Sequence, residues 1–412
     1  MKSAVLCADI GTSSIKTALV NHAGEVLSYA RIRFPEKNPS WFDSFILAAK
    51  KLAGDCPQAV PQGICISGNG PTLVSDTGRI LLWNENPDKK LAESITQNLK
   101  GTAAQESLFI PRLGLFKEIY PDDWNKSTFI LSGPEYLIWQ LTGNATTILP
   151  EKRYNNIYWT DESLSCAGIP VAKMPPFAMP GTLAGKLEKK TAVLCGLQDG
   201  LPVFCGAPDF IAALIGTNTL TPGSLCDRAG SSEGINLCAR HPKEFFPAEY
   251  LEGTRVLPSI IPGLYNISVL IPDSGKTFGK IKQTFAPSMD YEDFVKKILG
   301  DCEFCPEGKR AMDDIIKLVA KAFAKLQKIC AYDGNPCKKT VRTTGGQAKN
   351  QHWLQYKANA TGISFQVTGC PDAELIGDAV LGFYGLGYFS SIQQGAEELV
   401  KTSSTYNPED LQ

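Results

Sequence analysis

Three short glycine-containing loops are the parts of this sequence best suited to chemistry on phosphate. Two of them also carry hydroxyl side chains, DIGTSS at residues 9–14 and AGSSEG at residues 229–234. Successive backbone N–H groups in such turns form anion-binding concavities, and the hydroxyl groups add donors for phosphate oxygens. The third loop, Gly345-Gly346, permits the close approach of a flat ligand. Each loop alone is more typical of an ordinary turn, so the chemical interpretation depends on their occurring together.

Metal-binding side chains are few and scattered. The three histidines are isolated in the sequence, which argues against a zinc hydrolase. The pair Cys302 and Cys305 could form a four-thiolate zinc site with Cys330 and Cys337. However, six residues separate the second pair, where zinc ribbons usually have about two. Ordinary thiols are therefore the favoured interpretation, and the odd total of 13 cysteines argues against a secreted disulfide scaffold.

Composition and charge narrow the possible partners. Hydrophobic residues make up 43% of the 412 residues and charged residues 20%, which excludes wholesale disorder, collagen and coiled coil. The 41 Lys and Arg residues nearly balance the 42 Asp and Glu residues, so the net charge is -1. We expect neither nucleic acid nor a membrane as a partner, because no long basic or apolar run is present. Asp9 interrupts the first apolar run too early for a signal peptide, which predicts a reducing, cytoplasmic location.

The beginning of the chain predicts an antiparallel arrangement of three strands. Residues 3–8, 15–21 and 25–34 are β-rich runs joined by tight, glycine-containing turns. A Rossmann or P-loop protein would place its glycine turn between a strand and a helix. Neither glycine motif of those two folds occurs in this sequence.

Farther along, groups of strands are followed by groups of helices, twice over. The predicted strands are residues 63–68, 73–75, 80–83, 201–206, 224–229, 234–239 and 340–344. The predicted helices are residues 43–53, 134–141, 290–299, 310–332, 374–389 and 391–402, with an apolar helix that follows Asp209. This organisation predicts two related α/β domains.

The order and spacing of these segments resemble those of the FGGY carbohydrate kinases, a family within the actin and heat-shock-chaperone ATPase superfamily. ADIGTSSIK (8–16) and GSSE (230–233) are similar to the two phosphate motifs of the family. Residues 132–143 resemble its "DYL…LTG" segment, 202–209 its "PV…GGGD" segment, 344–353 its adenosine motif and 375–382 its "ALGAA" helix. The resemblance implies an α/β fold with two ribonuclease H-like domains around a central cleft. Residues 1–220 would form the sugar-binding domain and residues 221–412 a shortened nucleotide-binding domain.

The resemblance also implies a role for particular side chains. Asp209 is similar to the catalytic base of the family, which accepts the proton of the attacking sugar hydroxyl; a helix N-cap is the alternative for this residue. Asp9 resembles the residue that holds Mg²⁺, with Asp209 beside it. The residues implied to bind the phosphates of ATP are Gly11, Thr12, Ser13, Lys16, Gly230 and Ser231. Those implied to bind adenosine are Gly345, Gly346, Gln347 and Asn350.

Two departures from the family pattern concern the sugar and the length of the second domain. SGNGPT (67–72) lacks the Met-His pair of the "SGQMHG" motif, and WNEN (83–86) lacks the arginine of "WxDxR". Asn69, Trp83 and Asn84 are plausible sugar contacts, and hairpin packing explains each of them equally well. Only 113 residues separate Glu233 from Gln347, and the "GERxP" segment is missing, which predicts a shortened second domain.

Two functions from different classes follow. The first is an ATP-dependent kinase that phosphorylates a ketose or a polyol, with ATP and Mg²⁺ as cofactors and a homodimer as a possible assembly. The second is a catalytically weak or inactive relative that senses sugar or nucleotide. Retention of Asp9, Asp209 and both phosphate loops favours the kinase, because a binding module has no need of a base beside its ligand.

Overall fold

The computed structural model describes residues 2–35, 40–301 and 303–409. The chain forms two compact units, which are described separately below. Unit 1 comprises Met1–Ala212 and Glu374–Leu399, and unit 2 comprises Ala213–Ala373 and Val400–Gln412. The division expected between residues 220 and 221 did not include the return of the chain to unit 1. Only contacts between residues far apart in sequence reveal that return.

Unit 1 is built on one large sheet with small additional strands. Its strands are β1 Lys2–Ile10, β2 Ser14–Asn21, β3 Val26–Arg33, β4 Ala59–Gly68, β5 Leu73–Ser75, β6 Ile80–Leu81, β7 Ile130–Leu131, β8 Thr147–Ile148, β9 Phe177–Ala178, β10 Leu183–Lys186 and β11 Pro202–Pro208. The large sheet has the order β10-β11-β4-β1-β2-β3. Strands β1, β2 and β3 pair antiparallel, which confirms the predicted meander, and β4 and β11 run parallel to β1.

Helices flank this sheet. The first eight helices of the chain are α1 Trp41–Asp55, α2 Lys89–Asn98, α3 Ile110–Ile119, α4 Pro121–Lys126, α5 Gly133–Thr142, α6 Asn155–Tyr158, α7 Asp161–Cys166 and α8 Lys189–Cys195. Ser40 caps α1 by accepting the Asp43 N–H, and α5 ends at Gly143, whose φ of 74° is left-handed. The short 3₁₀ turns here are Lys152–Tyr154 and Val171–Lys173. The core packs apolar faces of α1 and α5 against β1 and β4, whose central residues are buried.

Unit 2 is built on a second large sheet. Its strands are β12 Leu225–Ala229, β13 Glu233–Ala239, β14 Thr254–Pro258, β15 Tyr265–Ile271, β16 Thr340–Thr344, β17 Ser364–Thr368 and β18 Thr402–Tyr406, in the order β14-β15-β13-β12-β16-β17-β18. Strands β16 and β17 run parallel to β12, and the other neighbours pair antiparallel. The sheet therefore carries its parallel strands at the centre and antiparallel pairs toward both edges.

The remaining helices complete the two units. They are α9 Asp209–Gly216, α10 Ala248–Leu251, α11 Ser274–Phe285, α12 Tyr291–Gly300, α13 Pro306–Tyr332, α14 Gln351–Thr361, α15 Ala373–Gly385 and α16 Ile392–Leu399, with 3₁₀ turns at Lys243–Phe245 and Gln347–Lys349. The chain leaves unit 1 within α9 and returns at the start of α15. Helix α13 buries Met312, Val319, Phe323 and Leu326 in the core of unit 2. These residues recur at helical spacing, which explains why this helix was predicted.

Several strands of unit 2 were not predicted from the sequence. Strands β14 and β18 lie at the two edges of the sheet, and most of their side chains are exposed or half-buried. The pattern of such strands resembles that of a loop, because pairing with a neighbour far away in sequence decides their conformation. Strand β15 and helix α11 were likewise missed, and both support the second glycine loop described below.

The structure bears on the expectations about thiols, metal and membrane. The cysteines among the described residues form no disulfide bond, and most of them are buried. Cys302, one member of the CxxC pair, lies outside the described residues. Within the ranges that the structure describes, no cluster of three or more His, Cys, Asp and Glu side chains is arranged to hold a metal ion. In the same ranges, each helix is too short or too polar to cross a bilayer.

The buried carboxyl group of Glu135 on α5 makes the stability of the fold depend on pH. Its Oε1 accepts the Ile148 N–H at 2.9 Å, the residue is 4% exposed, and burial raises its pKa to about 7. In the unfolded chain, the Glu135 carboxyl group loses its proton near the ordinary carboxyl pKa. At pH values between that pKa and about 7, the folded protein therefore binds one more proton than the unfolded chain does. Stability contributed by this group is therefore present at low pH and falls as pH rises toward 7.

The unfolding free energy of the parent protein should fall between pH 5 and pH 8. In Glu135→Gln we expect this fall to be smaller by about 2 to 3 kcal/mol. Urea unfolding at both pH values measures this difference. Glu93→Gln on α2 is the control, because that glutamate is exposed and pairs only loosely with Lys89 at 3.9 Å. An identical pH dependence in Glu135→Gln and the parent protein would contradict the prediction.

Candidate active site

The carboxyl ends of three neighbouring parallel strands bring together the candidate residues of unit 1. In the register of β1, β4 and β11, Ile10 lies beside Gly68, and Gly68 lies beside Pro208. Asp9 accordingly lies beside Ser67, and Asp209 follows Pro208 directly. Ligands of α/β proteins bind at this end of parallel strands, where the loops leave the sheet. Asp9 and Asp209, which were predicted from motifs far apart in sequence, thus follow neighbouring positions at one edge of the unit 1 sheet.

Asp9 is paired across the first hairpin. It lies opposite Lys16 in the antiparallel register of β1 and β2, and the Lys16 Nζ is 3.0 Å from the Asp9 Oδ2. Asp9 is only 2% exposed, so its charge needs compensation. The same Nζ lies 4.0 Å from the Glu374 Oε2 on α15. One lysine thus faces two carboxylates beside the first glycine loop.

The first glycine loop exposes its hydroxyl groups. The Gly11 N–H donates to the Ser14 carbonyl oxygen at 3.0 Å, which closes the turn, while Thr12 and Ser13 are exposed. The Trp83 Nε1 donates to the Thr12 Oγ1 at 3.0 Å. This hydrogen bond connects the segment after β6, where sugar contacts were predicted, to the first glycine loop.

Two of the three predicted sugar contacts, Trp83 and Asn69, are linked by hydrogen bonds through Thr72. The Trp83 N–H donates to the Thr72 Oγ1 at 3.1 Å, and this hydroxyl donates to the Asn69 Oδ1 at 2.9 Å. The Asn69 N–H in turn donates to the Ile10 carbonyl oxygen at 2.9 Å. Asn69 and Trp83 are therefore brought together with the loop that follows β1, while Asn84 is exposed beside Trp83.

Asp209 is half-buried and is the first residue of α9. A carboxylate in this position is stabilised by the partial positive charge of the helix N-terminus. The strand before it approaches β4 closely: a Cβ at Gly206 would lie 2.2 Å from the Ile66 carbonyl oxygen. Only glycine fits there, and the register of β11 and β4 shifts between Cys205 and Pro208. The irregularity sets the point from which Asp209 leaves the sheet.

A buried carboxyl group that the sequence analysis missed lies next to this edge. Asp378 on α15 is fully buried, and its Oδ2 accepts the Ser67 hydroxyl at 2.9 Å. Burial raises its pKa well above the usual range, and the negative charge of Asp9 adds to that effect. A signal was present in the sequence, because Asp378 stands where the "ALGAA" motif has alanine.

In unit 2 the structure brings together the second glycine loop, residues 229–234, and the glycine pair Gly345-Gly346 that was predicted to bind adenosine. Arg228 at the end of β12 lies beside Thr344 at the end of β16, so the two loops leave neighbouring parallel strands. A Cβ at Gly345, whose φ is 94°, would lie 2.5 Å from the Ala229 carbonyl oxygen. The two loops can therefore approach this closely only with glycine at 345.

The exposed parts of these loops form a surface suited to a flat, anionic ligand. Gly230, Ser231 and Gly346 are exposed, and a Cβ at Gly346 would meet open space. The start of α11 supports the loop from behind, since the Lys276 N–H donates to the Ser231 carbonyl oxygen at 3.0 Å. A Cβ at Gly275 would lie 2.1 Å from the Gly230 carbonyl oxygen, so this support is also a close contact.

The other two predicted adenosine residues make internal contacts. The Gln347 Nε2 donates to the Glu233 Oε2 at 3.2 Å. Asn350 is buried; its Oδ1 accepts the Trp353 N–H at 3.1 Å, which caps α14, and its Nδ2 donates to the Tyr291 carbonyl oxygen at 2.9 Å. The contact of Asn350 with adenosine stays a prediction, and capping is the role that the contacts give it.

Comparison with known proteins identifies the family. Residues 4–216 match the N-terminal domain of the FGGY family of carbohydrate kinases, and residues 315–386 match its C-terminal domain. This chain belongs to the FGGY family of carbohydrate kinases. It is a phosphotransferase, and membership implies ATP-dependent phosphorylation of a sugar. Residues 217–314, which include the second glycine loop of this FGGY kinase, lie outside both matches.

Relatives and solved structures agree with this assignment. The chain is 21% identical to a xylulose kinase of Staphylococcus epidermidis, with 99% of this chain and 93% of the relative covered. It is 22% identical to an autoinducer-2 kinase of Salmonella paratyphi B, with 88% and 79% covered.

Two solved structures share the fold of this FGGY kinase. A ligand-bound xylulose kinase of Lactobacillus acidophilus has a TM-score of 0.77 at 17% identity, with 99% of this chain and 94% of that chain covered. The ADP complex of Plasmodium falciparum glycerol kinase has a TM-score of 0.76 at 12% identity, with the same coverage. These similarities confirm the predicted fold class, the ribonuclease H-like α/β fold of the sugar kinases.

Proposed function

We propose that this kinase transfers the γ-phosphate of ATP to a hydroxyl group of a ketose or polyol, with Asp209 as the general base. The proposal is supported above all by the strand register of unit 1, in which Ile10, Gly68 and Pro208 lie side by side. That edge joins Asp9, Lys16 and the hydroxyl loop to the start of α9. A single carboxylate suffices as base, because phosphoryl transfer depends mainly on positioning and charge stabilisation.

In this mechanism the sugar hydroxyl oxygen attacks the γ-phosphorus of ATP while Asp209 accepts the hydroxyl proton. A new oxygen–phosphorus bond forms, the bond between the γ-phosphorus and the β–γ bridging oxygen breaks, and ADP leaves with that oxygen. The half-buried carboxylate at the beginning of α9 is held by a helix, so its position relative to the sheet edge is fixed. A fixed base lowers the cost of orienting the reactants.

The phosphate groups of ATP are proposed to bind the two glycine loops. Thr12 and Ser13 offer exposed hydroxyls, and Lys16 offers a positive charge already fixed by Asp9 at 3.0 Å. The exposed Gly230 and Ser231 would contribute backbone N–H donors and a hydroxyl. Gly11 allows the tight turn that exposes the first set of donors.

Mg²⁺ fits the chemistry of the oxygen donors at the edge of the unit 1 sheet. Hard oxygen ligands such as the carboxylates of Asp9 and Asp209 suit this ion, which usually keeps several waters. When bound, Mg²⁺ would neutralise the negative charge of the phosphates. Asp9 and Asp209 are the residues that would hold it.

Adenosine is proposed to lie against the glycine pair of unit 2. Gly346 is exposed with open space where a side chain would be, and Gly345 brings the adenosine loop against Ala229. Gln347 and Asn350 would border the base and ribose. The sugar is proposed to contact Asn69, Trp83 and Asn84, and the xylulose kinases among the relatives favour a ketose as substrate.

A coupled ADP-release assay with ATP and Mg²⁺ tests the proposed function. Pentuloses, hexuloses, heptuloses and polyols form the panel, and we expect turnover with at least one ketose or polyol and none after Mg²⁺ is removed with a chelator. If no substrate of the panel were turned over while ATP binding was measurable, the proposed kinase activity would be contradicted. The alternative, a sensor that binds sugar or nucleotide, would then be supported.

A further inference from the structure

A fully buried ion triad lies beneath the two nucleotide loops of unit 2. The Lys357 Nζ on α14 is 2.8 Å from the Asp227 Oδ2 and 2.6 Å from the Glu233 Oε1. All three side chains have no exposed surface. Asp227 lies on β12 and Glu233 begins β13, so the lysine joins one helix to two strands. Neither Asp227 nor Lys357 is among the site residues predicted from the sequence.

The charges of the triad compensate one another. Burial by itself would lower the pKa of Lys357, but the two carboxylates raise it overall, so the amine stays protonated. Burial and the negative charge of Glu233 raise the pKa of Asp227 to about 7. Buried ion pairs are seldom more stabilising than well-packed apolar side chains of similar volume. Stability alone therefore does not explain why charged groups occupy this part of the core.

Glu233 connects the triad to both nucleotide loops. It follows the exposed Gly230-Ser231 loop by two residues, and it lies beside Ala229 in the β12–β13 register. Its Oε1 accepts from Lys357, and its Oε2 accepts from the Gln347 Nε2 in the 3₁₀ turn after the glycine pair. Since a carboxylate can only accept, this contact also fixes which end of the Gln347 amide faces the core.

We propose that Glu233, held by Lys357, is a positioning residue that fixes the adenosine loop relative to the second phosphate loop. This inference rests on the proposed function, in which both loops bind ATP. With one oxygen held by Lys357, the other presents a fixed acceptor to Gln347, so the two loops keep one relative arrangement before the nucleotide arrives. Binding then costs less ordering, and affinity is higher.

Glu233→Gln tests this role with little change in shape. The new amide oxygen still accepts from Lys357, but its NH₂ group replaces Oε2 and faces the Gln347 NH₂, so two donors oppose each other. We expect ADP to bind about tenfold more weakly, because a charge-assisted hydrogen bond is lost. Isothermal titration calorimetry with ADP measures this, and kinetics should show a raised KM for ATP with kcat and the sugar KM nearly unchanged.

A matched control and a swap variant complete the test. Glu292→Gln also removes a glutamate that accepts from a glutamine of α14, Gln351 at 2.5 Å, but that pair is exposed; we expect unchanged ADP affinity. In the double variant Glu233→Gln with Gln347→Glu, the amide donates to the new carboxylate, so the contact between the loops returns. ADP affinity should rise above that of Glu233→Gln, although Gln347 itself borders the proposed adenosine site. The swap separates loop positioning from a general loss of stability.

Failure of this inference differs from failure of the proposed function. If the parent protein does not bind ADP, the proposed function is wrong. If it binds ADP and Glu233→Gln binds equally well, or the swap variant binds no better than Glu233→Gln, only the positioning role is overturned. Thermal unfolding checks each variant, and should Glu233→Gln not fold, the ADP affinity of the swap variant against the parent decides.

Discussion

Asp209→Asn is expected to lower kcat by about 10²- to 10⁴-fold. The amide keeps the size and polarity of the carboxylate but cannot accept the proton of the sugar hydroxyl. The side chain begins α9 and is only half-buried, and asparagine has nearly its size, so we expect the variant to fold like the parent protein. Steady-state ADP release with the best sugar of the panel measures the effect.

Asp199→Asn is the matched control for this prediction. Asp199 is exposed in the turn that precedes the same strand, β11, at its opposite end. The control should keep the kcat of the parent protein, and thermal unfolding of both variants should stay close to that of the parent protein. If kcat of Asp209→Asn equals that of the parent protein, Asp209 is not the base.

Lys357→Met is expected to destabilise the protein by about 3 to 5 kcal/mol. Methionine fills most of the volume, but Asp227 and Glu233 then remain in the core of unit 2 without a counter-charge. Each carboxylate must then either bind a proton or remain charged without compensation. Since binding a proton becomes more costly as pH rises, the loss of unfolding free energy should grow between pH 5 and pH 8. Urea unfolding at several pH values measures both the size and the direction of this change.

Lys51→Met is the control for the loss of a lysine. The Lys51 Nζ lies 2.9 Å from the Asp55 Oδ2, close to the separation in the buried triad, but the two side chains are 53% and 48% exposed. An exposed ion pair contributes at most about 1 kcal/mol, because water and salt screen it. If Lys357→Met and Lys51→Met lowered the unfolding free energy equally, burial would not be the reason why loss of Lys357 destabilises the protein.

Much of the fold was readable from local patterns. The antiparallel meander, the long helix α13 and the helix that ends at Gly143 were predicted because their apolar periodicity and turn residues act over a few neighbours. The edge strands β14 and β18 were not, because pairing with distant residues determines them. The same division holds within the site. The glycine loops have a local signature, but the depth at which Asp378 and Lys357 are buried does not.

The three glycine-containing loops and Asp209 are readable in the sequence itself. Backbone freedom, hydroxyl donors and a carboxylate are properties of the residues and their order, and those features carried the family resemblance that the comparisons confirmed. Only the tertiary structure decided how these residues are held. Asp9 and Asp209 share one sheet edge because parallel strands align, and Glu233 joins two loops because a lysine far along the chain is buried beside it. Strand register and burial arise from contacts between distant residues, so spacing along the chain does not reveal them.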